Sequence, residues 1–257
     1  MMMRFLDVNA SLLASTVAGW RGTVAFRPVR KQPEKPIELY EYEASPYCRL
    51  VREALTELDL DAMIHPCPAG GTRFRPKVQV LGGKEQFPFM VDPNTGARLF
   101  ESADIVKYLA KTYEGRSRTS KGVKRRIAVG GAYGASALRG WRGFRGMKAR
   151  PAKAPEKPLE LFSFESSPFS RLVREVLCEL ELPYLLRNAG KGNWADMGPP
   201  WVRDRLWRSE PGSGRNRKVL FERTGRVQVP YLIDPNTGAA MYESADIIRY
   251  LEKTYAQ

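Results

Sequence analysis

Histidine is almost missing from this chain of 257 residues: His65 stands alone. A histidine-based metal site and a Ser-His-Asp triad therefore lack their parts, and no metal is expected. Cysteine is scarce too, with Cys48, Cys67 and Cys178 and no Cys-x-x-Cys spacing. That excludes a disulfide framework and suits a reducing compartment, taken as the cytoplasm with an organelle stroma still open. No run of about 18 uncharged apolar residues occurs, so no membrane-spanning helix is expected. Acidic residues are outnumbered 28 to 42, for a net charge of +14. What remains is ordinary for a folded chain, 43% hydrophobic and 27% charged, and the length suits two cores.

The positive excess is unevenly placed. Basic residues stand 6 against 2 acidic in residues 1–36, 9 against 12 in 37–115, 13 against 1 in 116–157, and 14 against 13 in 158–257. Two nearly neutral blocks thus alternate with two basic connecting segments. Lys121 to Arg126 and the Arg-Gly-rich 139–150 have the charge to meet phosphates. No nucleic-acid-binding motif accompanies them, so nucleic acid is an unlikely partner and a solvated connector is the plainer reading.

The two blocks are copies. Ser45 to Leu58 and Ser167 to Leu180 agree at 10 of 14 positions with an offset of 122, and Phe87 to Tyr113 and Val229 to Tyr255 agree at 17 of 27 with an offset of 142. The difference marks an insertion at about 190–225, which carries Trp194, Trp201 and Trp207. Upstream, Pro33-Glu34-Lys35-Pro36 matches Pro155-Glu156-Lys157-Pro158, and Trp20-Arg21-Gly22 is aligned with Trp141-Arg142-Gly143. A start rich in Ser and Arg resembles a transit peptide, but recurrence in mid-chain favours a structural element. The organisation expected is an N-terminal helix and Pro-rich linker (1–36), a first domain (37–115), a basic helical linker (116–157) and a second domain (158–257).

Within each block the patterns predict strand, helix, strand, helix, hairpin, helix. Ile37 to Glu43 alternates as a half-buried strand, and Ser45-Pro46 caps and opens a helix to Leu58 with Leu50, Val51, Ala54, Leu55 and Leu58 facing a core. Ala62 to His65 is a short strand. Asp92-Pro93-Asn94-Thr95-Gly96 has the turn chemistry of a hairpin between Pro88–Val91 and Arg98–Phe100. Ser102 then caps a helix to Tyr113.

This order, with Ser-Pro-Tyr-Cys after the first strand, Pro88 before the hairpin and Glu101-Ser102 at the last helix, resembles glutaredoxins and the N-terminal domain of glutathione transferases. More narrowly, it is similar to proteins carrying two such domains in tandem. The resemblance implies an α/β fold of two tandem thioredoxin-like domains, each a four-stranded mixed sheet flanked by helices, and glutathione as co-substrate. It implies that Ser45 and Ser167 orient a thiol beside a helix N-terminus. It further implies a cis bond before Pro88 and Pro230 that leaves the Phe87 and Val229 backbones for the peptide, with Glu101, Ser102, Glu243 and Ser244 holding its γ-glutamyl end. Tyr47 and Phe169, next to the serines, complete the expected glutathione contacts. Glutaredoxins of this pattern have cysteine where Ser45 and Ser167 stand, which turns the expectation from disulfide exchange toward activation of a bound thiol.

Two rival readings accompany it: a redox-silent scaffold that self-associates or binds a protein partner, and monothiol exchange through Cys48. Ser11–Trp20 and Ile127–Trp141 carry small residues at four-residue spacing (Ala14, Ala18; Gly130, Gly134), which predicts helix pairing or a lid over the cores. Peripheral membrane contact by these stretches is the less favoured use.

Overall fold

The computed structural model describes residues 2–25, 28–115, 129–134, 145–192, 196 and 214–257. Most of the tryptophan-rich insertion lies outside them, as do Trp141-Arg142-Gly143 and Lys121 to Arg126. After α1 (Met2–Val17), the first half runs β1 (Ile37–Glu41), α2 (Pro46–Glu57), β2 (Ala62–Pro66), α3 (Arg75–Gly82), β3 (Phe89–Asp92), β4 (Ala97–Phe100) and α4 (Ser102–Leu109), whose last turn, Ala110–Glu114, is π-helical. The second half repeats it with β5 (Leu159–Ser163), α5 (Pro168–Glu179), β6 (Tyr184–Asn188), α6 (Arg215–Thr224), β7 (Tyr231–Asp234), β8 (Ala239–Tyr242) and α7 (Ser244–Tyr255).

Two separate four-stranded sheets were expected; the strands instead form one eight-stranded sheet in the order β4-β3-β1-β2-β6-β5-β7-β8. The halves join where β2 and β6 pair antiparallel, Ala62 with Leu186, Met63 with Leu185 and Ile64 with Tyr184. Met63 and Leu185 are equivalent residues of the two copies, so an approximate two-fold axis passes through this pair and the contact is self-complementary. Pairing removes two exposed strand edges at once.

On one face of the sheet, α2, α4, α5 and α7 share a single apolar core that includes Val51, Leu55, Leu109, Val173, Leu177 and Leu251. On the other face each half keeps its own small cluster, Tyr40, Cys67, Val78 and Phe89 under α3, and Phe162, Leu220 and Tyr231 under α6. The hairpin turns form as their chemistry predicts. Asp92 accepts from the Asn94 N–H (2.9 Å) and the Tyr108 and Tyr113 hydroxyls (2.7 and 2.5 Å), and Asp234 accepts from Asn236, Tyr250 and Tyr255 in the same way. The repeated linkers also match: Lys35 N–H donates to Asn94 Oδ1 (2.9 Å) and Lys157 N–H to Asn236 Oδ1 (2.8 Å).

Candidate functional site

Strand register brings three loops of each half to one end of the sheet. Tyr40 pairs with Phe89, and Phe89 with Phe100, so the segment after β1, the residues before β3 and the start of α4 are neighbours. Phe162, Tyr231 and Tyr242 repeat the arrangement. The Phe87–Pro88 and Val229–Pro230 bonds are both cis. Glu101 and Glu243 both have φ +66°, an unfavourable backbone for a residue with a Cβ. Each sits immediately before the serine that opens a helix, Ser102 or Ser244, and both serines are buried. A glutamine braces each glutamate: Gln86 donates to Glu101, and Gln228 to Glu243 at 2.7 Å.

Ser45 and Ser167 are N-caps. Their side chains accept from the N–H of Cys48 (3.2 Å) and Ser170 (3.3 Å), and each serine is only 2% exposed. Tyr47 and Phe169, two residues on from these serines, are exposed, at 43% and 45%. Tyr42, which the sequence reading missed, lies between Ser45 and the cis-proline loop. Its ring meets Phe87 edge-on at 6.2 Å, and burial raises its hydroxyl pKa while a hydrogen bond with Ser45 works the other way. Arg75 lies over the Phe87 ring at 4.8 Å. The second half has Phe164 and Val229 in these places, so the phenol is confined to the first half.

The thiols are core groups. Cys48 is fully buried, and burial together with the charge of Glu41 pushes it up to about 12. Burial of this kind disfavours the thiolate that exchange chemistry needs. Burial likewise raises Cys67 and Cys178. His65 stacks on Tyr40 at 4.5 Å with Nε2 3.5 Å from Glu38, and Arg187 pairs with Glu160 at the equivalent place in the second half. That repetition gives His65 a structural role.

Both serine loops are roofed. On α1, Ser11 Oγ donates to the Pro168 carbonyl (2.9 Å) and Ser15 Oγ to the Ser166 carbonyl (2.8 Å), while Arg171 on α5 donates to Ser11 O and Ser15 Oγ, each at 3.2 Å. Over the first half, Tyr133 of the helical stretch 129–134 donates to the Tyr47 hydroxyl at 2.8 Å. The expected helix pairing is present but uses Gly131 in place of Gly130: Gly131 lies against Val17 and Ala18 and Gly134 against Val17, while a Cβ on Gly130 would meet nothing within 4 Å.

Beneath this roof lies a buried ion cluster on the two-fold axis, which sequence reading also missed. Arg52 donates through Nε to Glu165 (2.8 Å), through Nη1 to Glu41 and through Nη2 to the Glu43 carbonyl (3.2 Å). Arg174 mirrors it, through Nε to Glu43 (3.1 Å), Nη1 to Ser163 Oγ (3.0 Å) and Nη2 to the Glu165 carbonyl (3.0 Å). Each arginine thus grips the other half's glutamate. Against the burial penalty, Glu165, Glu41 and Glu43 hold Arg52 well above its ordinary range, and Arg174 and Arg52 hold Glu165 well below its own. The available signal was an arginine repeated at one position of two amphipathic helices.

The sequence profile described as "Glutathione S-transferase, N-terminal domain" matches residues 39–117 and 161–257. Among solved structures, a delta-class glutathione transferase of Nilaparvata lugens is 30% identical over 31% of this chain and 37% of its own, with TM-score 0.26. A Bombyx mori glutathione transferase is 28% identical over 38% of this chain and 45% of its own, with TM-score 0.29. A trimeric Leishmania glutathione transferase is 12% identical over 87% of this chain and 68% of its own, with TM-score 0.30. The chain thus spans less than half the length of the two insect enzymes it matches. No curated protein matches it.

Proposed function

The chain belongs to the glutathione S-transferase N-terminal-domain family, and from that premise we propose that it binds a γ-glutamyl thiol peptide of the glutathione class and supports transferase-like activation of its thiol. In this reading the two halves are tandem thioredoxin-like domains working in a reducing compartment. The observation that carries it is the twice-repeated set at one sheet end: a cis X-Pro bond, a glutamate at φ +66°, and a serine opening the next helix. The backbone of Phe87 or Val229 pairs with the peptide. Glu101 or Glu243 takes the ammonium, and the helix start at Ser102 or Ser244 takes the carboxylate. The Ser45 hydroxyl accepts the Cys48 N–H and keeps its own proton to donate, so serine in place of cysteine suits stabilising a bound thiolate rather than exchanging disulfides.

Calorimetric titration of glutathione into wild type and into a Ser102→Ala, Ser244→Ala double variant tests this. Saturable binding weakened about tenfold or more in the variant is the expected result, since each lost charge-assisted bond is worth about 1.5–3 kcal/mol. No heat of binding up to millimolar glutathione overturns it. A second reading, a redox-silent scaffold, has one observation in its favour: α1 is bonded directly onto the Ser166–Pro168 loop.

A further inference from the structure

From Ala10 to Val17, helix α1 is built inside out. Its inward stripe is small and partly polar, with Ala10, Ser11, Ala14, Ser15 and Ala18 buried against α5 and the 129–134 helix. Its outward stripe of Leu13, Thr16 and Val17 is exposed, as is Trp20 in the turn that follows, with Leu13 at 57% and Trp20 at 42%. A helix in water ordinarily places such residues the other way round. Trp20 is further held at φ +53°, a backbone region that a bulky side chain avoids. The patch extends beyond α1. Val17 touches Gly134, the next residue to Tyr133; Tyr133 meets Tyr47 edge-on at 5.6 Å; and Phe169 follows the Pro168 carbonyl that Ser11 holds. Six of the eight exposed large hydrophobic residues among those described belong to this roof.

We propose that this roof face docks on an anionic lipid surface. The apolar side chains and the tyrosine, tryptophan and phenylalanine rings have the composition of an interfacial layer, amphipathic groups that rest at headgroup depth. Charge selects the occupant. The connecting segments that contain the two roof helices, residues 1–36 and 116–157, have 19 basic residues (6 and 13) against 3 acidic (2 and 1), whereas the sheet-bearing blocks are close to neutral. A second copy carries the same net charge of +14, which opposes self-pairing, whereas an anionic bilayer neutralises it. No helix among the described residues is long and apolar enough to cross a bilayer, so the contact lies in the interface.

Vesicle flotation of the full chain tests this, with phosphatidylcholine vesicles containing phosphatidylserine beside vesicles of phosphatidylcholine alone. The wild type is expected to float with the anionic vesicles and not with the neutral ones, and to release as salt is raised. A Leu13→Glu, Trp20→Glu double variant, altered only at exposed positions, is expected to bind about tenfold less or weaker while its circular dichroism and melting temperature hold. Phe169→Glu, on a different helix, is expected to weaken binding in the same direction. Absence of flotation with anionic vesicles, equal flotation with neutral ones, or unchanged flotation of both variants overturns the proposal. So does a dimer, seen by light scattering, that the double variant dissolves without any lipid binding, because the occupant is then a second copy.

Discussion

Within the buried ion cluster, Glu41 is a residue at which the two copies part company. Its counterpart in the second half is Ser163, so the cluster on the axis holds an extra carboxylate with no matching arginine. Burial, opposed by Arg52 and reinforced by the charges of Glu43 and Glu165, pushes Glu41 up to about 7. The folded chain therefore keeps this proton up to about neutrality, where the unfolded chain has released it near the ordinary carboxylate value. The contribution of Glu41 to stability consequently falls as pH rises from about 4.5 to about 7 and is flat above. Glu41→Gln can still accept the Arg52 N–H without ionising. We expect denaturant titrations to show the variant gaining on wild type between pH 5 and pH 8, by on the order of 1–3 kcal/mol. Parallel curves at the two pH values would mean that Glu41 is ionised throughout.

At the scale of elements, two short straps hold the halves to the roof. Ser166 N–H donates to the Gly22 carbonyl (3.2 Å), and Ala44 N–H to the Gly146 carbonyl (3.4 Å). A Cβ on Gly22 would lie 2.7 Å from Glu165 Cβ and 3.2 Å from the Glu53 backbone; one on Gly146 would lie 2.9 Å from Glu43 Cβ and 3.3 Å from the Glu175 backbone. Both glycines also have φ near +70°. The counterpart of Gly22 is therefore Gly146, which corrects the alignment with Gly143: the duplicated tryptophan drew the sequence match three residues upstream of the glycine that packs. Gly22→Ala and Gly146→Ala should each cost about 2 kcal/mol or more, combining left-handed backbone strain with the clash. Gly225→Ala, also at positive φ but with nothing within 4 Å of the added carbon, should cost only about 1 kcal/mol. Equal losses at all three sites, by chemical denaturation, would show that the close approach carries no energy.

For the whole molecule, the continuous sheet and the crossed Arg52–Glu165 and Arg174–Glu43 pairs make the halves one cooperative body. Removing one arginine leaves the buried Glu41, Glu43 and Glu165 to share the other, so Arg52→Met or Arg174→Met should destabilise by about 3–5 kcal/mol. Because the partner glutamate belongs to the other half, unfolding of both halves should shift together. Two resolved transitions in differential scanning calorimetry of either variant, one at the wild-type temperature, would mean that the halves fold independently.

Element identity was legible because it rests on local rules. Ser45-Pro46 opens a helix, Asp92 to Gly96 turns a hairpin, and alternating residues from Ile37 build a strand, each from neighbours along the chain. The repeat made the same reading twice, and resemblance to a family supplied the cis prolines and the Glu-Ser helix starts. Relations between the copies were not legible. That Met63 would face Leu185 and that Arg52 would cross to Glu165 depend on how two similar surfaces meet, and a self-complementary edge has no signature in either copy alone. The sequence by itself determined the elements, their duplication and the charge of the connectors, all functions of local pattern and composition. Only the tertiary structure decided which edges pair, which charges are buried together and which face of α1 stays open, because those follow from packing between residues more than a hundred positions apart.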